Sequence, residues 1–305
     1  MKIKNASFCR KCLQQSLPVD VMIRFAGLVS PGYDIYRRSG LTEGMPISNQ
    51  NAAQRIVADL IQDGYFIDFV ELLLKVENEG YMGRSYAMRG LNDVVAGLIQ
   101  EGYAYDKASS QFFENQNERI SENWGRLKNG DERRMTVLRL DVAGNSILVK
   151  QNPAGSVEKA YGDLRSIVSR AVIGRAGRLW SWEGDGALAV FLFGRREQNA
   201  VFSGMEILHE LYFYNRLRNP LNKPIRVRIA VHTGSVYYYD NPVERLKNET
   251  IKQAVSLESA VPPGSLGISG NLGGSVDEFI TDLCTPESAA GNKQYWLYRP
   301  AQERV

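Results

Sequence analysis

Two aspartates stand where β-strand texture meets a glycine turn, and a carboxylate in such a place can hold a divalent cation. The first, Asp141, ends the apolar run in "LRLDVAGNS" (residues 138–146) and is followed at once by a Gly-containing turn. An Asp there can simply start the turn. It can also be a metal ligand held beside backbone N–H groups where a phosphate sits. The second, Asp185, lies within Gly184-Asp185-Gly186 of "WEGDGALAVF", a strong hairpin signal that as turn chemistry needs no function. Cys9 and Cys12 have the C-x-x-C spacing of half a zinc site, but Cys284, His209 and His232 are distant in sequence. Buried or free thiols are therefore the better reading. His232, on an apolar strand, reads as a core histidine with a local hydrogen bond rather than a ligand.

The elements that must position these groups fall into two textures. From Asn51 to Asp106 the apolar spacing is helical: Ile56, Leu60 and Ile61, then Phe69, Leu72, Leu73 and Val76, then Leu91, Val94, Val95 and Leu98. Each of the three helices ends at Gly-Tyr (Gly64-Tyr65, Gly80-Tyr81, Gly102-Tyr103), the glycine suiting a left-handed cap. The segment "ADLIQDGYFID" from Ala58 recurs as "AGLIQEGYAYD" from Ala96, which predicts two related helical hairpins. After Met135 short β-type runs alternate with amphipathic helices. The strands are placed at Thr136–Leu140, Arg178–Trp182, Ala187–Phe193, Arg226–His232, Ser265–Ile268 and Tyr295–Tyr298, and the helices at Val157–Ile173, Asn199–Arg216 and Glu249–Ala260. The order β-α-β-β-α-β is the split βαβ arrangement. In it the first strand lies beside the hairpin, so Asp141 and Asp185 approach each other, and two converging carboxylates call for a cation.

The predicted fold is thus α+β, a ferredoxin-like palm preceded by an all-α domain. Its parts are a helical regulatory or interaction domain (1–113), a linker helix (114–131) with the single stripe Ile120, Trp124 and Leu127, and the palm (132–305). A chain of 305 residues with 44% hydrophobic and 23% charged content is long enough for two cores. Its net charge of +3 is too small to argue for nucleic acid or an anionic membrane as partner. No apolar run spans a membrane and "MKIKNASFCRKC" has no secretory h-region, so the chain reads as cytoplasmic. An open sheet with Leu188, Val190 and Leu192 on one side or Ala189, Phe191 and Phe193 on the other needs cover on both faces, which predicts a dimer.

The palm resembles the catalytic domain of the class III adenylate and guanylate cyclases. "MTVLRLDVAGNSILV" is similar to that family's first strand, "GRLWSWEGDGALAVF" to its Gly-Asp hairpin, "PIRVRIAVHTGSVYYY" to its Arg-x-Gly-x-His-x-Gly strand, and "ETIKQAVSLESAVPPGSLGIS" to the helix and Pro-Gly turn after it. The resemblance covers about residues 132–299. It implies a phosphorus–oxygen lyase that converts a nucleoside triphosphate (ATP or GTP) to a 3′,5′-cyclic nucleotide and pyrophosphate. Two Mg²⁺ or Mn²⁺ ions would be held by Asp141, Asp185 and the backbone carbonyl of Val142, with the turn Ala143, Gly144, Asn145 and Ser146 facing the phosphates. It also implies a site between two catalytic domains, in a homodimer or in a heterodimer with another cyclase-type chain.

The other half of the family's pattern is substituted. Ser181 stands where the family has a base-reading Lys, Arg245 at its base-reading Asp, Lys252 at its ribose-orienting Asn and Ser256 at its transition-state Arg. Losing one preorganised transition-state donor costs roughly 10²- to 10³-fold in rate. Either Lys252, or a basic residue elsewhere such as Arg245 or Lys293, restores the charge, or the chain is a weak or silent homologue that binds metal–nucleotide as a regulatory or heterodimer subunit.

Overall fold

The computed structural model describes residues 3–106, 110–118, 120–272, 274–289 and 293–301. The chain divides into two compact units, Met1–Arg119 and Ile120–Val305.

Apolar residues at helical spacing build the first unit from α1 (Ile3–Ser16), α2 (Val19–Val29), α3 (Ile35–Ser39), α4 (Asn49–Gln62), α5 (Phe66–Glu79) and α6 (Leu91–Gln100). A small hairpin of β1 (Tyr103–Asp106) and β2 (Gln111–Glu114) follows, so the unit is helical with one addition. The Ser48 hydroxyl starts α4 by accepting from the Asn51 N–H at 3.2 Å. Gly64, Gly80 and Gly102 all take positive φ, although Gly80, at ψ −179°, does not form the left-handed helical cap expected. The sequence echo does not produce two hairpins of helices: after the same glycine stop, the first copy enters α5 and the second enters β1. Tyr105 and Phe112 pack across the β1–β2 pair, with ring centroids 4.8 Å apart, and this tertiary contact decides the strand. Cys9 and Cys12 sit one turn apart on α1 in the hydrophobic core. Burial pushes both thiols up, Cys12 to about 11, so they are inert side chains of the interior.

The second unit contains β3 (Glu132–Val142), α7 (Asn145–Gln151), α8 (Ala154–Ile173), β4 (Arg178–Glu183), β5 (Gly186–Phe191), α9 (Arg196–Leu217), β6 (Val227–Tyr237), α10 (Pro242–Leu246), α11 (Glu249–Ala260), β7 (Ser265–Ser269), α12 (Glu278–Asp282), β8 (Cys284–Ala289) and β9 (Lys293–Tyr298). The sheet order is β4-β5-β3-β6-β7-β9-β8, antiparallel except for β6–β7. Its first four strands have the order of the split βαβ core, with β3 between the hairpin and β6. Leu138, Leu140 and Val142 of β3 and Ile229 and Val231 of β6 join the core with α8 and α9. The opposite face carries α11, whose Leu257 packs with Ala230 of β6. Gly234 makes that approach possible, because a Cβ there would stand 2.5 Å from the Thr250 hydroxyl. Leu188 and Val190 are 1% and 0% exposed within the single chain. The expectation that these residues need a second copy's cover is therefore corrected.

The linker helix expected over 114–131 is also corrected: its described residues end β2 and then form turns. Ser121 and Asn123 divert the backbone, since the Ser121 hydroxyl accepts from the Gly125 N–H at 2.9 Å and the Asn123 amide donates to the Leu127 carbonyl at 2.9 Å. Trp124, at φ 54°, is fully buried and donates its indole N–H to the Ala176 carbonyl. From Ile120 onward this stretch belongs to the second unit, which begins before residue 132.

Candidate functional site

Strand register brings the two predicted carboxylates together. Leu140 of β3 lies opposite Ala187 of β5, one residue before Asp141 and two after Asp185. The β4–β5 turn is tight, Glu183 pairing with Gly186, with Gly184 at φ 58°. Gly186 has its own reason to lack a side chain: a Cβ there would lie 2.6 Å from the guanidinium of Arg139. On the other flank, Asp141 pairs with Arg228 of β6.

The electrostatics follow from this placement. Burial first, and then the negative charge of Asp185, raise the Asp141 carboxyl above its ordinary range, while Arg228 and Arg139 pull it down. Glu258 of α11 is 5% exposed and is raised by burial and by Asp141, with Arg139, Arg228 and Asp185 acting more weakly. Arg228 stands 3.7 Å from Glu258. The site is thus three carboxylates against two guanidiniums. Neither Asp141 nor Asp185 has a side-chain hydrogen bond among the described residues, although the guanidiniums of Arg228 and Arg139 act on Asp141.

Such a donor set fits Mg²⁺ or Mn²⁺ of the kind held by one or two carboxylates, with phosphate oxygens and water completing the shell. Among the described residues no group of three His, Cys, Asp or Glu side chains could form an all-protein metal cage. Val142 is buried and paired with Val227 at the strand end. In the following turn, the Ala143 N–H is already donated to the Arg226 carbonyl at 2.9 Å, which corrects its expected place facing phosphate. Gly144 caps α7 at φ 70°, and Asn145 and Ser146 open that helix. Asn145 Oδ1 accepts from the Tyr161 hydroxyl at 2.7 Å.

The substituted half does not converge on this pair within one chain. Lys252 and Ser256 lie on the exposed side of α11, with Lys252 3.7 Å from Glu249. Ser181 is half-buried on β4 opposite Leu188. Arg245 is corrected outright. It is 3% exposed, ion-paired with Glu122, and placed over the rings of Trp180 and Tyr238 at 5.3 and 5.5 Å. A guanidinium committed to that aromatic box holds the turns at 121–131 to the palm and cannot also reach a substrate. The side chain of Lys293 lies outside the described residues.

Four residues of the cluster escaped the sequence reading: Arg139, Arg228, Glu258 and Tyr161. Arg139 and Arg228 had a visible signal, a charge alternating with apolar residues in strands that otherwise read as interior. Tyr161 had none, since a tyrosine on an amphipathic helix is ordinary. Its hydroxyl is pushed up to about 12 by burial, then by Asp185 and Asp141. His232 bonds Ser269 of the neighbouring β7 at 2.9 Å through Nδ1 and is half-buried, so it is a hydrogen-bonded histidine but not the core one expected.

No known protein family and no curated protein matches the chain in sequence. Among solved structures it is similar to the monomeric guanylyl cyclase domain of the RhoGC fusion protein from the aquatic fungus Blastocladiella emersonii, at 16% identity over 56% of this chain and 98% of that one (TM-score 0.47). It is also similar to the adenylyl cyclase CyaB from P. aeruginosa, at 16% identity over 58% and 100% (TM-score 0.48). A third is the adenylate/guanylate cyclase/hydrolase from Silicibacter pomeroyi, at 20% identity over 56% and 99% (TM-score 0.47). No helix among the described residues is long and apolar enough to cross a membrane.

Proposed function

We propose that the second unit is a nucleotide cyclase-type domain that holds a metal–nucleoside triphosphate through Asp141 and Asp185 and forms a 3′,5′-cyclic nucleotide and pyrophosphate at a site completed by a second cyclase-type subunit. The observation that carries this reading is the pair itself: two carboxylates at a strand end and a facing hairpin, neither with a side-chain hydrogen bond among the described residues, one raised by burial and then by the other's charge. Mg²⁺ or Mn²⁺ bound there would supply activation of the ribose 3′-hydroxyl and charge neutralisation on the triphosphate. The chain's own residues do the positioning. Arg228 and Arg139 limit the repulsion between the carboxylates, Tyr161 fixes the Asn145 side chain beside the turn, and the Gly144–Ser146 segment presents backbone N–H groups to phosphate. Lys252, exposed on α11, is free to face a partner subunit's site.

A second reading, a weak or silent regulatory subunit, is favoured by the burial of Arg245 and by Ser256 at the transition-state position. Incubating the full chain with each of the four ribonucleoside triphosphates and Mn²⁺, alone and after Lys252→Ala, separates the two. Cyclic product that Lys252→Ala abolishes supports catalysis by a homodimer. Absence of product with intact nucleotide binding supports the regulatory subunit. Absence of both removes the proposal.

A further inference from the structure

One long stretch of this chain has no acid. Between Glu210 and Asp240 there is neither Asp nor Glu, although at the chain's average of 34 acids in 305 residues such a stretch would hold about three. The same stretch carries Arg216, Arg218, Lys223, Arg226 and Arg228. Charge segregation of this kind marks a local field rather than solubility.

The fold gathers three of these five cations around a cavity of about 640 Å³ where β6 and β7 begin, against the C-terminal end of α9. Arg216, Lys223, Arg226 and Arg299 line it, and among the described residues no carboxylate does. Among the described residues Arg216, Lys223 and Arg299 have no carboxylate partner. Arg216 instead lies over the Tyr212 ring, 4.8 Å from its centroid. Neither Asp141 nor Asp185 lines this cavity, although Ser265, which does, pairs with Arg228, the strand neighbour of Asp141.

Its walls are built rather than loose. Asn215 clamps the loop before β6 twice, donating to the Ile225 carbonyl at 2.8 Å and accepting from the Ile225 N–H at 2.8 Å. Asn219 donates to the Lys223 carbonyl at 2.9 Å, and Asn152 accepts from the Asn222 N–H at 2.9 Å. Across the opening, Pro262 and Pro263 stiffen the approach to β7, and the Gly264 N–H is tied to the Val227 carbonyl at 2.8 Å. Cations held apart on fixed backbone repel one another, and the arrangement is relieved by an anion that can touch several at once.

We propose that this cavity binds a small, multiply charged phosphate ligand, with the phosphate groups as the recognised part. Guanidinium and ammonium groups suit phosphate oxygens, and the volume lies within the roughly 300–1,000 Å³ of small-molecule sites. The inference is independent of the cyclase-type reading.

The test is calorimetric titration of the full chain with inorganic triphosphate and with ATP in EDTA, so that no metal-dependent site is populated. The proposal expects saturable binding of both at comparable strength, weakened at least about 10-fold by Lys223→Glu with Arg299→Glu and by the milder Arg216→Ala with Lys223→Ala, and unchanged by Asp185→Ala; each such contact neutralises a phosphate charge. Far-UV circular dichroism confirms that these surface variants remain folded. No binding up to millimolar ligand, wild-type binding in both double variants, or loss of binding in Asp185→Ala would overturn it. Sedimentation with phosphatidylserine vesicles is the final arm: association with vesicles without binding of soluble triphosphate would assign the charge to an anionic surface and also overturn it.

Discussion

The helical unit buries an acid and the second unit half-buries two, and they treat them differently. In the helical unit Asp59 is 2% exposed and fully engaged: it accepts from the Tyr33 hydroxyl at 3.0 Å and from Arg55 at 3.0 Å, with Arg38 at 4.0 Å. In the palm Asp141 and Asp185 face each other with guanidiniums nearby and no hydrogen bond among the described residues. A carboxylate supplied with partners from its own chain is part of the scaffold. One left without them is a position for a ligand. Arg245 stands between the two: motif alignment places it in the site, while its Nη2 is paired with Glu122 and its plane lies in an aromatic box, with Nε and Nη1 unpartnered among the described residues.

That contrast can be broken in order of expected effect. Arg245→Ala removes a buried charged hydrogen bond and its cation–π contacts, and should cost about 3 kcal/mol of stability in denaturant unfolding. Nucleotide binding by the folded fraction should be unchanged, and a selective loss of binding would return Arg245 to the site. Asp59→Ala leaves the Tyr33 hydroxyl without its acceptor and should cost about 2 kcal/mol, again without effect on ligand. Asp141→Asn should act in the opposite sense, giving a small rise in Tm near neutral pH together with loss of metal–nucleotide binding. The sign follows from the raised carboxyl. Its folded-state pKa lies above the unfolded value near 3.8, so the protonated form's contribution to stability is complete below that value and fades as pH rises through the folded pKa. At neutral pH the charged form is a cost that Asn removes. Mn²⁺ affinity should rise over the same interval, because the metal competes with the proton. Titrating Tm and Mn²⁺ binding from pH 4 to 8 (about the span in which a raised carboxyl titrates) checks both signs.

Much of this was legible in the sequence because it is carried by periodicity and turn chemistry. Helix α11 was placed at Glu249–Ala260, and α4–α6 and the strands on either side of Asp141 and Asp185 came from apolar spacing and glycine. What was not legible depends on tertiary context. Residues 121–131 carry one apolar stripe that suits a helix, yet Ser121 and Asn123 hydrogen-bond the backbone locally and Trp124 is drawn into the palm. The second copy of the echoed segment has the letters of the first but becomes a strand, because Tyr105 finds Phe112. The partners of Asp141 were invisible for a similar reason: Arg228 and Glu258 meet only when α11 is laid over β6.

The central claim is that Asp141 and Asp185 form one site for a metal-bound nucleoside triphosphate. It is tested most directly by calorimetric titration of Mn²⁺–ATP and Mn²⁺–GTP into the wild type and Asp185→Ala, at an ionic strength that suppresses binding to the surface cations. The account predicts saturable wild-type binding for at least one nucleotide, weakened in Asp185→Ala by at least the roughly 10- to 100-fold seen when even an outer-shell metal partner is lost. Equal affinity in the two proteins would contradict it.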